Sequence, residues 1–355
     1  KIELAAVAAA EGVTGAVSFQ AKVTGPVDRP TVYDSFQLPA GTVGGNAFAY
    51  ASANFRYSGA VMAFEQGVAS AWGGRVSFAG SYDASSAYFN QQISGQDVDS
   101  SLLTGGVIPG RADFAAAVSG REAGSFRTEG TFAMKTGTTV SGFALSSLDG
   151  SFVKQGNLLQ LRQVNLVTGG HSFYARGQIV LDSPVELDII VGSGGFDIAA
   201  FQPDGPAKGV AAFEAAIAGT AEDFRAAGQF SLAAGSLGGL DFTDANGDFY
   251  YDGRVLTLRA AQARALGGQI TAAGTVTKTA YNQKITGAGI EAAYFTDGDV
   301  DGRADFSAQI QGQGDWDGAT ADGSFSIKQG TAKGLPFSDL TGDFQKRGRQ
   351  TDFAN

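Results

Sequence analysis

Apolar and polar positions alternate along most of the chain. In one stretch Gly209, Ala211, Phe213, Ala215, Ile217 and Gly219 fall on one parity, while Val210, Ala212, Glu214, Ala216 and Ala218 fall on the other. A later stretch separates Gly302, Ala304, Phe306, Ala308, Ile310 and Gly312 from Arg303, Asp305, Ser307, Gln309 and Gln311. Residues i, i+2 and i+4 of a strand share a face, so one face is apolar and the other mostly polar. This is the pattern of antiparallel sheet that is wet on one side. No window sustains apolar residues at helical spacing, and no helix is expected. The dipeptides Ser58-Gly59, Asn246-Gly247, Asp252-Gly253 and Gln329-Gly330 are expected to supply the positive φ of tight hairpins. Strands of about 6 to 10 residues joined by such turns give roughly six to eight per repeat.

The pattern is a repeat. G-x-x-x-F-x-x-x-[V/I]-x-G occurs at Gly15/Phe19/Val23/Gly25, Gly110/Phe114/Val118/Gly120, Gly209/Phe213/Ile217/Gly219 and Gly302/Phe306/Ile310/Gly312. F-x-[L/M/I]-x-x-G follows at Phe36/Leu38/Gly41, Phe132/Met134/Gly137, Phe230/Leu232/Gly235 and Phe325/Ile327/Gly330. F-x-x-x-G comes next, at Phe55/Gly59, Phe152/Gly156, Phe249/Gly253 and Phe344/Gly348. Three copies continue with an apolar pair, Met62/Phe64, Leu159/Leu161 and Leu256/Leu258, and close on Gly73-Gly74, Gly169-Gly170 and Gly267-Gly268. The period of about 95 residues marks an array, with repeats expected at 1–104, 105–203, 204–297 and a truncated 298–355. A start at Lys1 and a stop within the fourth copy are expected of a fragment of a longer protein. No linker separates the copies, which argues for stacked units sharing one long sheet.

Of the 355 residues, 43% are hydrophobic and 17% charged, a globular composition. The net charge of −10 argues against nucleic acid, which needs a basic face. The run Lys346-Arg347-Gly348-Arg349 reads as a solvated turn. With no cysteine, disulfides and thiolate metal sites are excluded. No run of about 18 apolar residues offers a membrane span.

Chemistry is sparse, and an enzyme is not expected. The one histidine, His171, follows a Gly-Gly pair where sister repeats have Arg75 and Gln269, and it is expected to be polar and outward. Phosphate-loop, nucleophile-elbow and zinc-protease motifs are missing, and no cofactor is expected. Asp297, Asp299 and Asp301 match the start of a calcium loop, yet the twelfth position is Ala308 where a bidentate Glu belongs, so a solvated turn is the better reading. The acids Glu214, Asp241, Asp244 and Asp248 vary freely between repeats, as solvent-facing charge does.

A sheet apolar on one face must cover it. With no helix available, the sheet is expected to curl over itself or to face a ligand. Alanines at Ala112, Ala116, Ala211, Ala215, Ala304 and Ala308 lie among bulky Phe and Leu and are expected to leave a trough suited to acyl chains. Its expected lining is Val17, Phe19, Val23, Phe36, Leu38, Phe55, Met62 and Phe64 in the first repeat, and Phe114, Val118, Phe132, Met134, Phe152, Leu159 and Leu161 in the second. The third contributes Phe213, Ile217, Phe230, Leu232, Phe249, Leu256, Leu258 and Ile270, and the fourth Phe306, Ile310, Phe325 and Ile327. Each methylene removed from water is worth about 0.8 kcal/mol, so a groove offsets a cost on the order of 20 kcal/mol for a two-tailed lipid leaving a bilayer. Two dozen strands at about 4.8 Å each would span roughly 100 to 130 Å, the scale of an envelope gap.

The unit GVAAFEAAIAG…GQFSLAAGSLGGLDFTDANGDFYYDGRVLTLRAAQARALGGQITAAG resembles the repeats of the TamB/AsmA-like family of double-membraned bacteria, across essentially the whole chain. The resemblance implies an all-β fold: an elongated, curled antiparallel sheet, or β-taco, with a hydrophobic inner face. It further implies a periplasmic location, an inner-membrane anchor outside this fragment, and phospholipids as cargo moving to the outer membrane. The family is also associated with outer-membrane protein assembly beside a TamA-like β-barrel partner. Three readings stand at this point. The first is a lipid-conducting groove, and the second is a scaffold that aids outer-membrane protein or autotransporter assembly by strand augmentation. The third is a passive extracellular β-repeat or adhesin with a dry, packed interior. Raw sheet edges lead to an expectation of edge-to-edge self-association.

Overall fold

The computed structural model describes residues 2–3, 13–43, 46–104, 109–121, 126–135, 139–140, 143–220, 222–296, 298–313, 318–348 and 350–354. Among the described residues 79% are strand and 4% helix, so the fold is nearly all β. Gly137, Asp297 and Arg349 lie outside the described residues.

Two compact units divide the chain: Lys1–Gly170 with Tyr174–Val185, and His171–Phe173 with Glu186–Asn355. The first unit begins with β1 (Ile2–Glu3), β2 (Val13–Thr24), β3 (Thr31–Leu38), β4 (Gly41–Val43) and β5 (Asn46–Ser58). It continues with β6 (Val61–Ala71), β7 (Gly74–Asp83), β8 (Tyr88–Asp99), a helical turn α1 (Ser100–Thr104) and β9 (Arg111–Arg121). It closes with β10 (Arg127–Met134), β11 (Thr139–Val140), β12 (Phe143–Gln155), β13 (Leu158–Thr168) and β14 (His171–Val180), whose first three residues belong to the second unit. The second unit has β15 (Glu186–Asp197), α2 (Ile198–Phe201), β16 (Ala207–Thr220), β17 (Phe224–Leu237), β18 (Leu240–Tyr251) and β19 (Leu256–Ala265). Then come β20 (Gly268–Val276), β21 (Ala280–Glu291), a 3-10 turn (Ala292–Phe295), β22 (Val300–Gln313), β23 (Thr320–Ala332), β24 (Leu335–Arg347) and β25 (Gln350–Ala354). Within each unit successive strands pair antiparallel in chain order, β3 joining β5 and β10 joining β12 around the short β4 and β11.

The sequence repeat maps onto this order. The first motif lies on β2, β9, β16 and β22, the second on β3, β10, β17 and β23, and the third on β5, β12, β18 and β24. The Gly-Gly pairs are hairpin turns, with Gly73, Gly169, Gly170 and Gly267 all at positive φ. Two expected turns prove otherwise: Asn246-Gly247 lies inside β18 and Gln329-Gly330 inside β23. There glycine makes room for a neighbour, since a Cβ at Gly330 would meet the Phe337 ring at 2.6 Å and one at Gly247 would meet Ala260 O at 2.6 Å. Strands are also longer than expected, reaching 14 residues in β16, β17 and β22.

Contrary to expectation, helix is present. α1, α2 and the 3-10 turn recur at the same point of successive repeats, after β8, β15 and β21. Asp99 and Asp197 cap the first two, accepting Ser101 N–H at 2.9 Å and Ala199 N–H at 3.0 Å. Just before each turn the strand register slips, at Gly95/Val98, Ser193/Phe196 and Gly287/Ile290. Such bulges bend a strand. The residue after each bend stands opposite the first-motif alanine: Val98 opposite Ala112, Phe196 opposite Ala211, Ile290 opposite Ala304. Val98 and Ile290 are 0% exposed.

Candidate functional site

The candidate lining residues share one face in each unit. In the first, Phe19 stands opposite Phe36, Phe55 opposite Phe64, and Phe114 opposite Phe132, which faces Gly150 in turn. Phe152 lies between Gly130 and Leu161, Met134 opposite Ala112, Val118 opposite Gln91 and Met62 opposite Tyr57. In the second unit Phe213 pairs with Phe230, Leu232 with Ala211, Ile217 with Ala226, and Phe249 with Leu258. Gly287 separates Ile270 from Phe306, which pairs with Phe325, while Ile327 faces Ala304 and Ile310 faces Gln283. Leu159 and Leu256 carry the face to its margin.

Burial is graded across this face. Val17 and Leu38 are buried with Ala51 in one cluster, and Leu232 and Ile327 are buried in clusters that include the helical-turn residues Ile198 and Ala292. Phe19 and Val23, on the outlying β2, are exposed, and the other candidates are half-buried. Aromatic contacts run along the face: Phe36 and Phe55 have ring centroids 6.5 Å apart, Phe132 and Phe152 6.5 Å, and Phe196 and Phe213 5.7 Å. The helical turns add rings that the sequence pattern did not reveal. Phe201 packs 5.6 Å from both Phe173 and Phe196, and Phe295 meets Phe306 edge-on at 5.9 Å.

The alanines do not leave an empty trough. Ala112, Ala211, Ala215, Ala304 and Ala308 are buried. The space over the glycines is taken by rings: a Cβ at Gly95 or Gly287 would run into Phe114 or Phe306, and one at Gly342 would meet Phe325 at 2.9 Å. The face is thus a relief of half-buried rings, with small residues beneath them. Among the described residues no second layer of strand or helix covers it. The accessible surface is 20966 Å². A compact 36.3 kDa chain would expose about 13,400 Å², and two separate compact halves about 16,000 Å².

Asp34 and Gln283 are among the buried polar groups of the apolar face. Buried Asp34 accepts Gln20 N–H at 2.8 Å and Ser35 N–H at 2.6 Å. Buried Gln283 donates to Thr275 O at 3.1 Å, and its Oε1 has no partner among the described residues.

The opposite face carries the arginines that hold the turns and the Lys135 and Glu129 ion pairs. Arg111 donates to Gly73 O at 3.0 Å and Asp97 O at 2.8 Å, and the equivalent Arg303 donates to Gly267 O at 2.5 Å and Gly289 O at 2.8 Å. Each arginine ties a Gly-Gly turn to the bend of the next strand. Lys135 bridges Asp97 at 2.8 Å and Asp113 at 3.7 Å. Its hydrogen bond holds Asp97 below the usual carboxylate range, and the bond to Asp97 raises Lys135. Arg127, followed by Arg162, lowers Glu129 in the same way.

His171 is not outward. It shares the parity of Phe173, whose ring lies 6.4 Å from Phe213, and is itself half-buried with its ring 6.2 Å from Phe201. Its Nε2 accepts the N–H of Asp197 at 3.4 Å, which ties it to the α2 cap. Of the calcium-loop acids, Asp297 is outside the described residues, Asp299 lies 3.5 Å from Lys333, and Asp301 sits in β22 opposite Thr331. Ala308 faces inward and is buried. Among the described residues no three His, Cys, Asp or Glu side chains gather as a metal site, and no helix is long and apolar enough to cross a membrane.

No family model matches the chain, and neither curated proteins nor solved structures provide a significant match.

Proposed function

We propose that the apolar face of each unit binds the acyl chains of phospholipids, and that the protein serves as a TamB-like path for lipid across the periplasm between inner and outer membranes. The observation that carries this reading is the half-buried apolar face without a second layer among the described residues, in a chain whose accessible surface far exceeds that of a packed protein of its mass. Rings and aliphatic side chains offer dispersion contact without directional bonds, so a bound chain can slide. The polar face and net charge of −10 keep the other side in water. A membrane anchor and a barrel partner belong to this proposal through the family resemblance alone.

Native mass spectrometry of the purified protein tests it. The reading expects co-purified phospholipid that is released by detergent. A protein free of lipid after expression in a lipid-replete cell, and still free after incubation with vesicles, argues for the passive-repeat alternative.

A further inference from the structure

The third motif carries a second signal. Two residues after its phenylalanine, every copy has a side chain with an apolar body and a polar tip: Tyr57, Lys154, Tyr251 and Lys346. Parity keeps them on the face of Phe55, Phe152, Phe249 and Phe344. Register agrees, setting Tyr57 opposite Met62, Lys154 opposite Leu159, Tyr251 opposite Leu256 and Lys346 opposite Ala321. All four stand at the strand end remote from the helical turns.

Three of the four tips reach the carbonyl of the turn glycine two residues on. Tyr251 Oη donates to Gly253 O at 2.7 Å, Lys154 Nζ to Gly156 O at 2.8 Å, and Lys346 Nζ to Gly348 O. Tyr82 and Tyr281 occupy the same margin of the same face, opposite Phe89 and Val276. The other margin holds the fully buried Val98 and Ile290. One margin of the apolar face is therefore closed and apolar, and the other is rimmed by amphipathic side chains. Tyrosine and lysine laid out this way, stem on hydrocarbon and tip in water, are what a lipid–water boundary selects.

Charge narrows the ligand. Among the described residues neither Lys154 nor Lys346 has a carboxylate partner; each ammonium meets a backbone carbonyl only. A phosphodiester supplies the missing negative charge. We propose that this margin is a headgroup rim. Phospholipids would lie with their chains across the face toward the helical turns and their phosphate against Lys154 or Lys346, or, at the separate tyrosine positions, against a tyrosine hydroxyl. The proposal rests on the acyl-chain reading above and adds an orientation and a headgroup class. In each unit the tyrosine and the lysine are six strands apart, about 29 Å, so they are separate anchor points.

The test is the affinity of the 355-residue chain for two lipids bearing the same acyl fluorophore, phosphatidylglycerol and neutral diacylglycerol. Wild type should prefer phosphatidylglycerol. The double variant Lys154→Met/Lys346→Met should lose about five- to tenfold in phosphatidylglycerol affinity and nothing for diacylglycerol, while Lys154→Arg/Lys346→Arg should bind both as wild type does. Equal binding of the two lipids by all three proteins overturns the rim and leaves the acyl-chain face standing. Binding of neither lipid overturns both. Displacement of phosphatidylglycerol by millimolar inorganic phosphate would assign the lysines to free phosphate and overturn the rim as well.

Discussion

Ile290 stands directly opposite Ala304, with the first side chain 0% and the second 5% exposed. Val98 and Ala112 repeat the arrangement in the other unit. Just past a register slip, Ile290 and Val98 are the largest fully buried side chains among the described residues. Ile290→Ala should therefore cost about 2 to 5 kcal/mol. Ile217→Ala, on the half-buried part of the same face, should cost less than half as much. Denaturant titration of both variants measures this. Equal losses would mean that the face is packed uniformly.

Glycine under a ring gives a second prediction. A Cβ at Gly287 would occupy the space of the Phe306 ring, so Gly287→Ala should destabilise by about 1 to 3 kcal/mol. Adding Phe306→Leu should recover part of that loss, because the shorter side chain clears the methyl. Thermal unfolding of the single and double variants reads the coupling; strict additivity would show that the ring does not hold the glycine in place.

The Asp97–Lys135 pair predicts a pH dependence. The folded state holds Asp97 below its unfolded pKa, so this contribution is present above the carboxylate range and is lost as pH falls through it. It holds Lys135 above its unfolded pKa, so the contribution is lost again as pH rises through the lysine range. The Tm difference between wild type and Lys135→Met should be flat from about pH 5 to 9 and shrink toward zero below about pH 3. Both groups are exposed, so the difference should also fall with added salt.

Arg303 and Arg111 each hold two main-chain carbonyls, of a Gly-Gly turn and of a bend. Arg303→Met should raise amide exchange at Gly267–Gln269 and around Gly289 by several-fold without changing global stability by more than about 1 kcal/mol. Exchange that is unchanged there would show the turn to be held by its backbone alone.

Strand parity was readable because a period of two needs only two residues to define a face. The Phe213/Ala211 and Phe306/Ala304 alternation recurs as one strand face, Phe213 pairing with Phe230 and Phe306 with Phe325. The bends and helical turns were not readable in that way. A turn of four or five residues has no period, and Val98, Phe196 and Ile290 sit just past a register slip that breaks the alternation. Their one signal was the acid before a short apolar run, Asp99, Asp197 and Glu291, recurring once per repeat. The alanines misled for a different reason. Residue size shows where space exists and not which neighbour fills it, and here rings from adjacent strands do. His171 was judged from its sister positions, yet its surroundings are set by Phe201 and by Phe173, where those repeats have Ser77 and Thr271.

The central claim is that the apolar face, and not the polar one, holds lipid. Photo-crosslinkers placed singly at Ile217 and Leu258 on the one side, and at Glu214 and Asp305 on the other, test it most directly in cells. Phospholipid captured from Ile217 and Leu258 and not from Glu214 and Asp305 is the expected result. Equal capture from both faces, or none from either, would contradict the account.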